Sequence, residues 1–348
     1  MKISFIGAGR WATTLALILH RKGNEIIMWE NSPDRLAKVN DTRQLSDLPD
    51  SILIPKDIII TDDLEHTLNS PEFVFLTVPS QSLREVLIKI TPFRFFYTNK
   101  TIENKLCNKR PILVSAIKGL ENNTNKRMSE IIKEFYPDLH VVVLAGPGIP
   151  YEISEGKPAS LVTASHSFDA ASRVQELLSF ENLRVYTHLD VVGVELGGAL
   201  KNIIAIAAGI CDGLKLGDNA KSALLTRGLA EITRIGIALN ANPLTFAGLS
   251  GIGDIIVTSY SPYSRNRWFG EKIAAGTEIN KTLDLLSGVA EGVLTTTSAR
   301  NLGSKLRIET PIIDEIFLIL FQKHDITKSI RRLMQRPLKK EISYEIEK

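Results

Sequence analysis

The sequence predicts an α/β N-terminal domain followed by an all-α C-terminal domain. Two patterns carry this. Through residue 189, apolar runs of strand length alternate with amphipathic runs of helix length, and from residue 190 the pattern is helical. A third observation narrows the first half: its opening strand runs directly into a glycine-rich turn and a helix.

Composition sets the outer bounds. The 348 residues suffice for two substantial cores, and 44% hydrophobic with 23% charged residues is ordinary for a globular protein. The net charge of +3, from 42 basic and 39 acidic side chains, is too balanced to imply a nucleic-acid partner. Cys107 and Cys211 supply neither a disulfide framework nor zinc spacing, which fits a reducing cytoplasm. The chain opens on a strand-like run, not a signal peptide, and no uncharged run is long enough to span a bilayer, so no stable membrane insertion is expected. Six scattered histidines without ligand spacing predict no metal.

Lys2 to Gly7 reads as the first strand. It enters Gly7-Ala8-Gly9-Arg10-Trp11-Ala12, the G-x-G-x-x-G/A fingerprint, and then a helical run. Gly7 permits the turn, Gly9 lets backbone approach a pyrophosphate on the helix N-terminus, and Ala12 is small enough for helix–strand contact. The second strand, Glu25 to Trp29, closes on Glu30, about 20 residues beyond the fingerprint, where a carboxylate accepts hydrogen bonds from ribose hydroxyls. Asn31 and a helical Arg35 follow. The N-terminal domain, residues 1–189, is therefore expected to be a dinucleotide-binding Rossmann domain.

Further strands are expected at Ile58–Thr61, Phe73–Val78, Pro111–Ala116, His140–Leu144, Ala159–Thr163 and Leu183–Tyr186. Ligands of doubly wound sheets bind at the carboxyl ends of the strands. That rule brings Pro79 and Lys118 to the cleft. The stiff Ala145-Gly146-Pro147-Gly148-Ile149-Pro150 segment suggests backbone close to a ligand. Phe93–Asn108, aromatic and basic, reads as a packed surface connection or a partner surface.

The second half centres on Gly193 to Gly228. Its first part reads as a buried helix holding one lysine, Lys201, with Asp190 as the expected N-cap. The Lys201 side chain leans back over Gly198 and Gly197. Two interior glycines cost a helix roughly 1 kcal/mol each against alanine. The space they leave would take a small molecule or another backbone. Downstream, Ser261-Pro262 reads as a helix start carrying Ser264-Arg265-Asn266, a phosphate-binding pattern. Glu291 lies in a glycine turn, Gly288 to Gly292, facing either cofactor or water. Residues 190–336 form the expected helical substrate and catalytic domain, and 337–348 a tail.

From Gly7 to about Arg336 the chain resembles bacterial NAD(P)-dependent glycerol-3-phosphate dehydrogenase, most specifically in ELGGALKNIIAIAAGICDGLKLGDNAKSALLTRGLAE and GLSGIGDIIVTSYSPYSRNRWFG. The resemblance implies a helical domain of the 6-phosphogluconate-dehydrogenase type, with Lys201 as general acid/base. It implies that Lys118, Gly146, Asp254, Ser264, Arg265 and Asn266 hold a small phosphate substrate. Gly7, Gly9, Arg10, Trp11, Glu30, Asn31, Pro79, Lys118, Pro150, Arg265, Val289 and Glu291 would lie along NAD or NADP, with NAD favoured by Glu30. The implied reaction interconverts sn-glycerol 3-phosphate and dihydroxyacetone phosphate and supplies phospholipid synthesis. A homodimer is the expected assembly. This chain departs from the family at Ala12, Gly148, Pro150 and Asn31. At the level of sequence two alternatives stay open: a lysine-dependent dehydrogenase of another small hydroxy acid or phosphate, and a nucleotide-binding sensor without turnover.

Overall fold

The computed structural model describes residues 1–45, 48–93, 110–286, 288–338 and 340–341, with backbone alone at 101–102 and 105–106. The first half alternates as expected: β1 (Lys2–Ile6), α1 (Arg10–Arg21), β2 (Glu25–Trp29), α2 (Pro33–Thr42), β3 (Ile59–Thr61), α3 (Leu64–Thr67), β4 (Phe73–Leu76) and α4 (Leu83–Ile90). There follow β5 (Thr101–Ile102), β6 (Lys105–Leu106), β7 (Ile112–Ser115), α5 (Met128–Phe135), β8 (Val141–Ala145), α6 (Pro150–Ser154), β9 (Ala159–Ala164), α7 (Phe168–Leu178) and β10 (Leu183–His188). Apart from Phe93 and the backbone of the β5–β6 hairpin, the aromatic 93–108 segment lies outside the described residues.

Eight strands form one sheet in the order β10-β9-β8-β7-β4-β1-β2-β3. All neighbours are parallel except β8 and β9, which run antiparallel. The two-residue period of a strand divides the core between the two faces. Ile3, Phe5, Phe73 and Phe75 pack with Leu15 and Leu19 of α1 and Val174 of α7 on one face. Ile6, Val74 and Leu76 pack with Leu83, Leu87 and Ile131 of α4 and α5 on the other. Because both faces are covered, the central strands β4 and β8 are apolar throughout, whereas the edge strand β10 alternates and exposes Arg184 and Tyr186. The strand order changes direction at β1 and β4, and their carboxyl ends open the cleft between them.

From α8 (Val191–Gly213) onward the described chain is helical: α9 (Asp218–Ala238), α10 (Asp254–Tyr260), α11 (Arg265–Ala274), α12 (Ile279–Asp284), α13 (Glu291–Leu306), α14 (Pro311–Gln322) and α15 (Ile326–Met334). Every residue of α8 from Gly193 to Ile210 is buried, so this helix is apolar all round. By length and composition it is apolar enough to cross a membrane, but 94% of that window is buried inside the protein, as for the central helix of a globular core. Asp190 caps it: Oδ1 accepts from the Gly193 N–H at 2.9 Å, and Oδ2 accepts from Asn242 N–H and Thr245 Oγ1. Glu195 ties α8 to α5, accepting from Ser129 N–H at 2.8 Å and from Arg127 at 2.6 Å.

One helix start differs from the sequence expectation. Ser261-Pro262 does not open α11. Ser261 Oγ instead accepts from the Tyr263 N–H in a tight turn, and Ser264, three residues on, is the N-cap, accepting from the Arg267 N–H at 3.3 Å. Both serines compete for the cap, and the turn that Ser261 closes moves the start forward.

Candidate active site

The dinucleotide side is built by β1, β2 and α1. Gly7 adopts φ +108°, a left-handed conformation that a side chain would strain, and a Cβ there would come 3.1 Å from Thr77 Oγ1. Gly9 is the N-cap of α1 and supplies no side chain to the first-turn N–H groups. Those groups and the helix dipole are arranged to receive a diphosphate. At the end of β2 the buried Glu30 is held by the Ser32 N–H at 3.1 Å, and Arg35 Nε stands 3.5 Å from its other oxygen. Arg35 also donates to the Ala8 carbonyl at 3.1 Å, which bridges the fingerprint loop to the carboxylate.

The cleft between this surface and the helices has a volume of about 670 Å³. Gly7, Gly9, Arg10, Trp11, Glu30 and Asn31 line one end. Pro79, Lys118 and Pro150 line the middle. Lys201, Ser264, Arg265, Asn266, Val289 and Glu291 line the helical wall. The fit to NAD or NADP therefore rests on an unfilled glycine cradle, an uncapped helix start and a strand-end carboxylate.

Lys201 is 6% exposed. Its Nζ lies 2.9 Å from Asp254 Oδ1 and donates to Thr258 Oγ1 at 2.5 Å. The other carboxylate oxygen of Asp254 accepts from Lys118 Nζ at 2.5 Å, and Lys118 also donates to the Gly146 carbonyl at 2.9 Å. One buried carboxylate thus holds two ammonium groups. Burial lowers the Lys201 pKa to about 8; Asp254 opposes this and Lys118 adds to it. Burial alone would raise the Asp254 carboxyl, but Lys118 and Lys201 outweigh it and the group stays below the usual carboxylate range.

Asp254 and Gly146 do not face the cleft. Asp254, 1% exposed, stands behind the two lysines, and Gly146 turns its carbonyl to Lys118. The space beside Gly197 goes to backbone: a Cβ there would fall 2.4 Å from the Ser250 carbonyl oxygen. That close approach sets the Leu249–Gly253 turn against α8 and so places Asp254, the first residue of α10, beneath Lys201. A Cβ at Gly148 would lie 3.0 Å from the Trp11 ring, so the ring occupies the room next to this glycine.

Along the same helical wall, Ser264 caps α11 and Arg265 opens it. Asn266 is held by α8 and α13: Nδ2 donates to Asn202 Oδ1 at 2.9 Å, and Oδ1 accepts from the Gly292 N–H at 3.0 Å. Glu291 accepts from the Ser80 N–H and hydroxyl, joining the loop after β4 to α13; burial raises its pKa, with Ser80 and Arg265 opposing. Thr258, Ser80 and Tyr263 also border the chemistry and were not singled out from sequence. The legible signal for Thr258 is its place four residues after Asp254, on the same helical face.

Comparison with known proteins shows the family. Residues 2–171 match the family described as NAD-dependent glycerol-3-phosphate dehydrogenase N-terminus, and residues 190–331 match its C-terminus. The glycerol-3-phosphate dehydrogenase [NAD(P)+] of a Thermoanaerobacter species is 44% identical over 342 residues, covering 98% of this chain and 99% of the relative. That of Pelotomaculum thermopropionicum is 42% identical over 339 residues, covering 96% and 93%. The crystal structure of glycerol-3-phosphate dehydrogenase from Coxiella burnetii superposes with a TM-score of 0.88 at 30% identity, over 96% of this chain and 99% of that one.

Proposed function

Given that the chain belongs to the NAD-dependent glycerol-3-phosphate dehydrogenase family, we propose that Lys201 is the group that moves the proton in its reaction. The enzyme interconverts sn-glycerol 3-phosphate and dihydroxyacetone phosphate with NAD or NADP. The bound nicotinamide supplies or accepts the hydride at C2. In the oxidative direction neutral Lys201 takes the proton of the C2 hydroxyl; in the reductive direction its ammonium form returns it. A proton-transfer group works best with a pKa near the operating pH, and the Lys201 pKa of about 8 meets that condition.

The observation that carries this reading is the single carboxylate of Asp254 shared by Lys118 and Lys201. Asp254 and Thr258 fix the Lys201 amine in one place. Lys118 keeps a positive charge beside it. Arg265 and the α11 start receive the phosphate, as charge-assisted hydrogen bonds and a helix N-terminus do. Glu30 receives the ribose hydroxyls of NAD. The two sequence cysteines fit a reducing cytoplasm, and the product glycerol 3-phosphate suits phospholipid synthesis.

The test is spectrophotometric. The purified chain is expected to oxidise NADH with dihydroxyacetone phosphate, and far more slowly with unphosphorylated dihydroxyacetone. Equal rates with both compounds would remove the phosphate site. Arg265→Ala is expected to weaken productive binding of the phosphorylated substrate by about 1.5–3 kcal/mol.

A further inference from the structure

Two aromatic side chains join the phosphate turn to the loop across the cleft. Tyr151 belongs to α6, one residue after the cleft-lining Pro150; Tyr263 immediately precedes Ser264 and itself lines the cleft. Their rings are nearly parallel, with centroids 4.1 Å apart and planes 14° apart. Tyr151 does not line the cleft and meets it through Tyr263. The backbone under Tyr263 is already fixed, because its N–H donates to Ser261 Oγ at 3.2 Å and the Ser264 N–H donates to the Ser261 carbonyl. Tyr263 is 38% exposed, and its ring is restrained by the stack on Tyr151 together with the hydrogen bond between the two side chains.

We propose that Tyr263 is a specificity-determining wall at the phosphate end of the cleft, and that Tyr151 is the positioning residue that holds it there. The pair narrows the cleft to a small phosphorylated ketone or alcohol and excludes chains one carbon longer. The proposal rests on the reading that the Ser264–Asn266 turn receives the phosphate. Lys201, Asp254 and Lys118 bond to one another, to Thr258 and to the Gly146 carbonyl, so the step the pair governs is substrate fit.

The test measures kcat and KM for dihydroxyacetone phosphate and for a four-carbon 2-keto phosphate, with NADH binding followed by fluorescence. The variants are Tyr151→Ala, Tyr263→Ala, the double variant, Tyr151→Phe, Tyr263→Phe and Arg265→Ala. Tyr151→Ala is expected to raise KM for dihydroxyacetone phosphate by about fivefold and to lower the preference for the three-carbon substrate by about tenfold, the scale of one methylene in a fitted pocket. Its kcat and NADH affinity stay within about twofold of wild type, a KM-against-kcat split that general loosening would not give. Tyr151→Phe keeps the stack and stays closer to wild type than Tyr151→Ala does, and the double variant is no worse than Tyr263→Ala. Unchanged KM and preference in Tyr151→Ala, additive effects in the double variant, or phenylalanine variants as impaired as the alanine ones would each overturn the proposal. Arg265→Ala separates the two readings. If it raises KM while Tyr151→Ala does not, the wall alone is wrong; if it leaves KM unchanged, the phosphate site falls and the wall with it.

Discussion

Asp254 holds Lys201 at 2.9 Å through one carboxylate oxygen while its other oxygen takes the Lys118 ammonium at 2.5 Å. Two cations on one buried anion leave a net positive charge, so one of the three can change protonation at modest cost. Lys201 is the more buried lysine and therefore the one whose charge is costly.

This arrangement sets the pH dependence of the reaction. Because the Lys201 pKa lies at about 8, kcat/KM for glycerol 3-phosphate oxidation is expected to rise with pH through about 8 as the neutral amine forms. Dihydroxyacetone phosphate reduction needs the ammonium form and is expected to fall over the same interval. Lys118→Gln removes a charge that lowers the Lys201 pKa, so the inflection should move to higher pH. Opposite-direction profiles that share no inflection would contradict the assignment.

Cofactor choice is expected to turn on Glu30 and Arg35. Glu30 is buried and held by the Ser32 N–H, so it cannot easily swing from a 2′-phosphate. Two unit charges about 4 Å apart repel by roughly 4 kcal/mol at an effective dielectric of about 20. Salt screening relieves part of this. The expected outcome is a preference for NADH of about tenfold, equivalent to about 1.4 kcal/mol. Arg35, paired with Glu30 at 3.5 Å, partly offsets the repulsion. Comparing kcat/KM for both cofactors at one salt concentration checks this. Glu30→Ala should improve NADPH relative to NADH and Arg35→Ala should worsen it. NADPH preferred by wild type would show that Glu30 does not discriminate.

Glu231 provides a stability test remote from the cleft. Its carboxylate accepts from the Ile312 and Ile313 N–H groups and so caps α14 from α9, where the N-cap Thr310 makes no side-chain capping bond. Burial raises its pKa to about 7, against the two backbone donors. A raised carboxyl pKa means that the folded state binds the proton more tightly than the unfolded one. Its stabilisation is therefore fully present below the unfolded value of about 4.5 and is lost as pH rises through about 7. Unfolding free energies of wild type and Glu231→Gln, measured by denaturant titration, should diverge in favour of the variant across that window, by up to the order of 3 kcal/mol. A constant difference would mean that the carboxyl titrates normally.

The sheet and the central helix were legible because periodicity and caps dominate there. Asp190 caps α8 as the sequence predicts. The antiparallel pairing of β8 with β9 was not legible, since an apolar run carries no direction. The start of α11 was misplaced because two serines three residues apart offer the same cap chemistry and only tertiary contacts choose. Lys118, Lys201 and Asp254 were each named, yet their sharing of one carboxylate depends on the Ser250 backbone entering beside Gly197. Thr258 was missed because a threonine in a helix has many bland readings until its neighbour is known.

Replacing Lys201 with alanine tests the central claim most directly, through single-turnover and steady-state rates measured beside NADH affinity. General acid–base catalysis predicts a fall in kcat of about 10²–10⁴, with NADH affinity nearly unchanged because the fingerprint, Glu30 and the α1 N-terminus are untouched. A variant that keeps most of its turnover, or that loses NADH binding in proportion to rate, would contradict the assignment of Lys201 as the proton-transfer group.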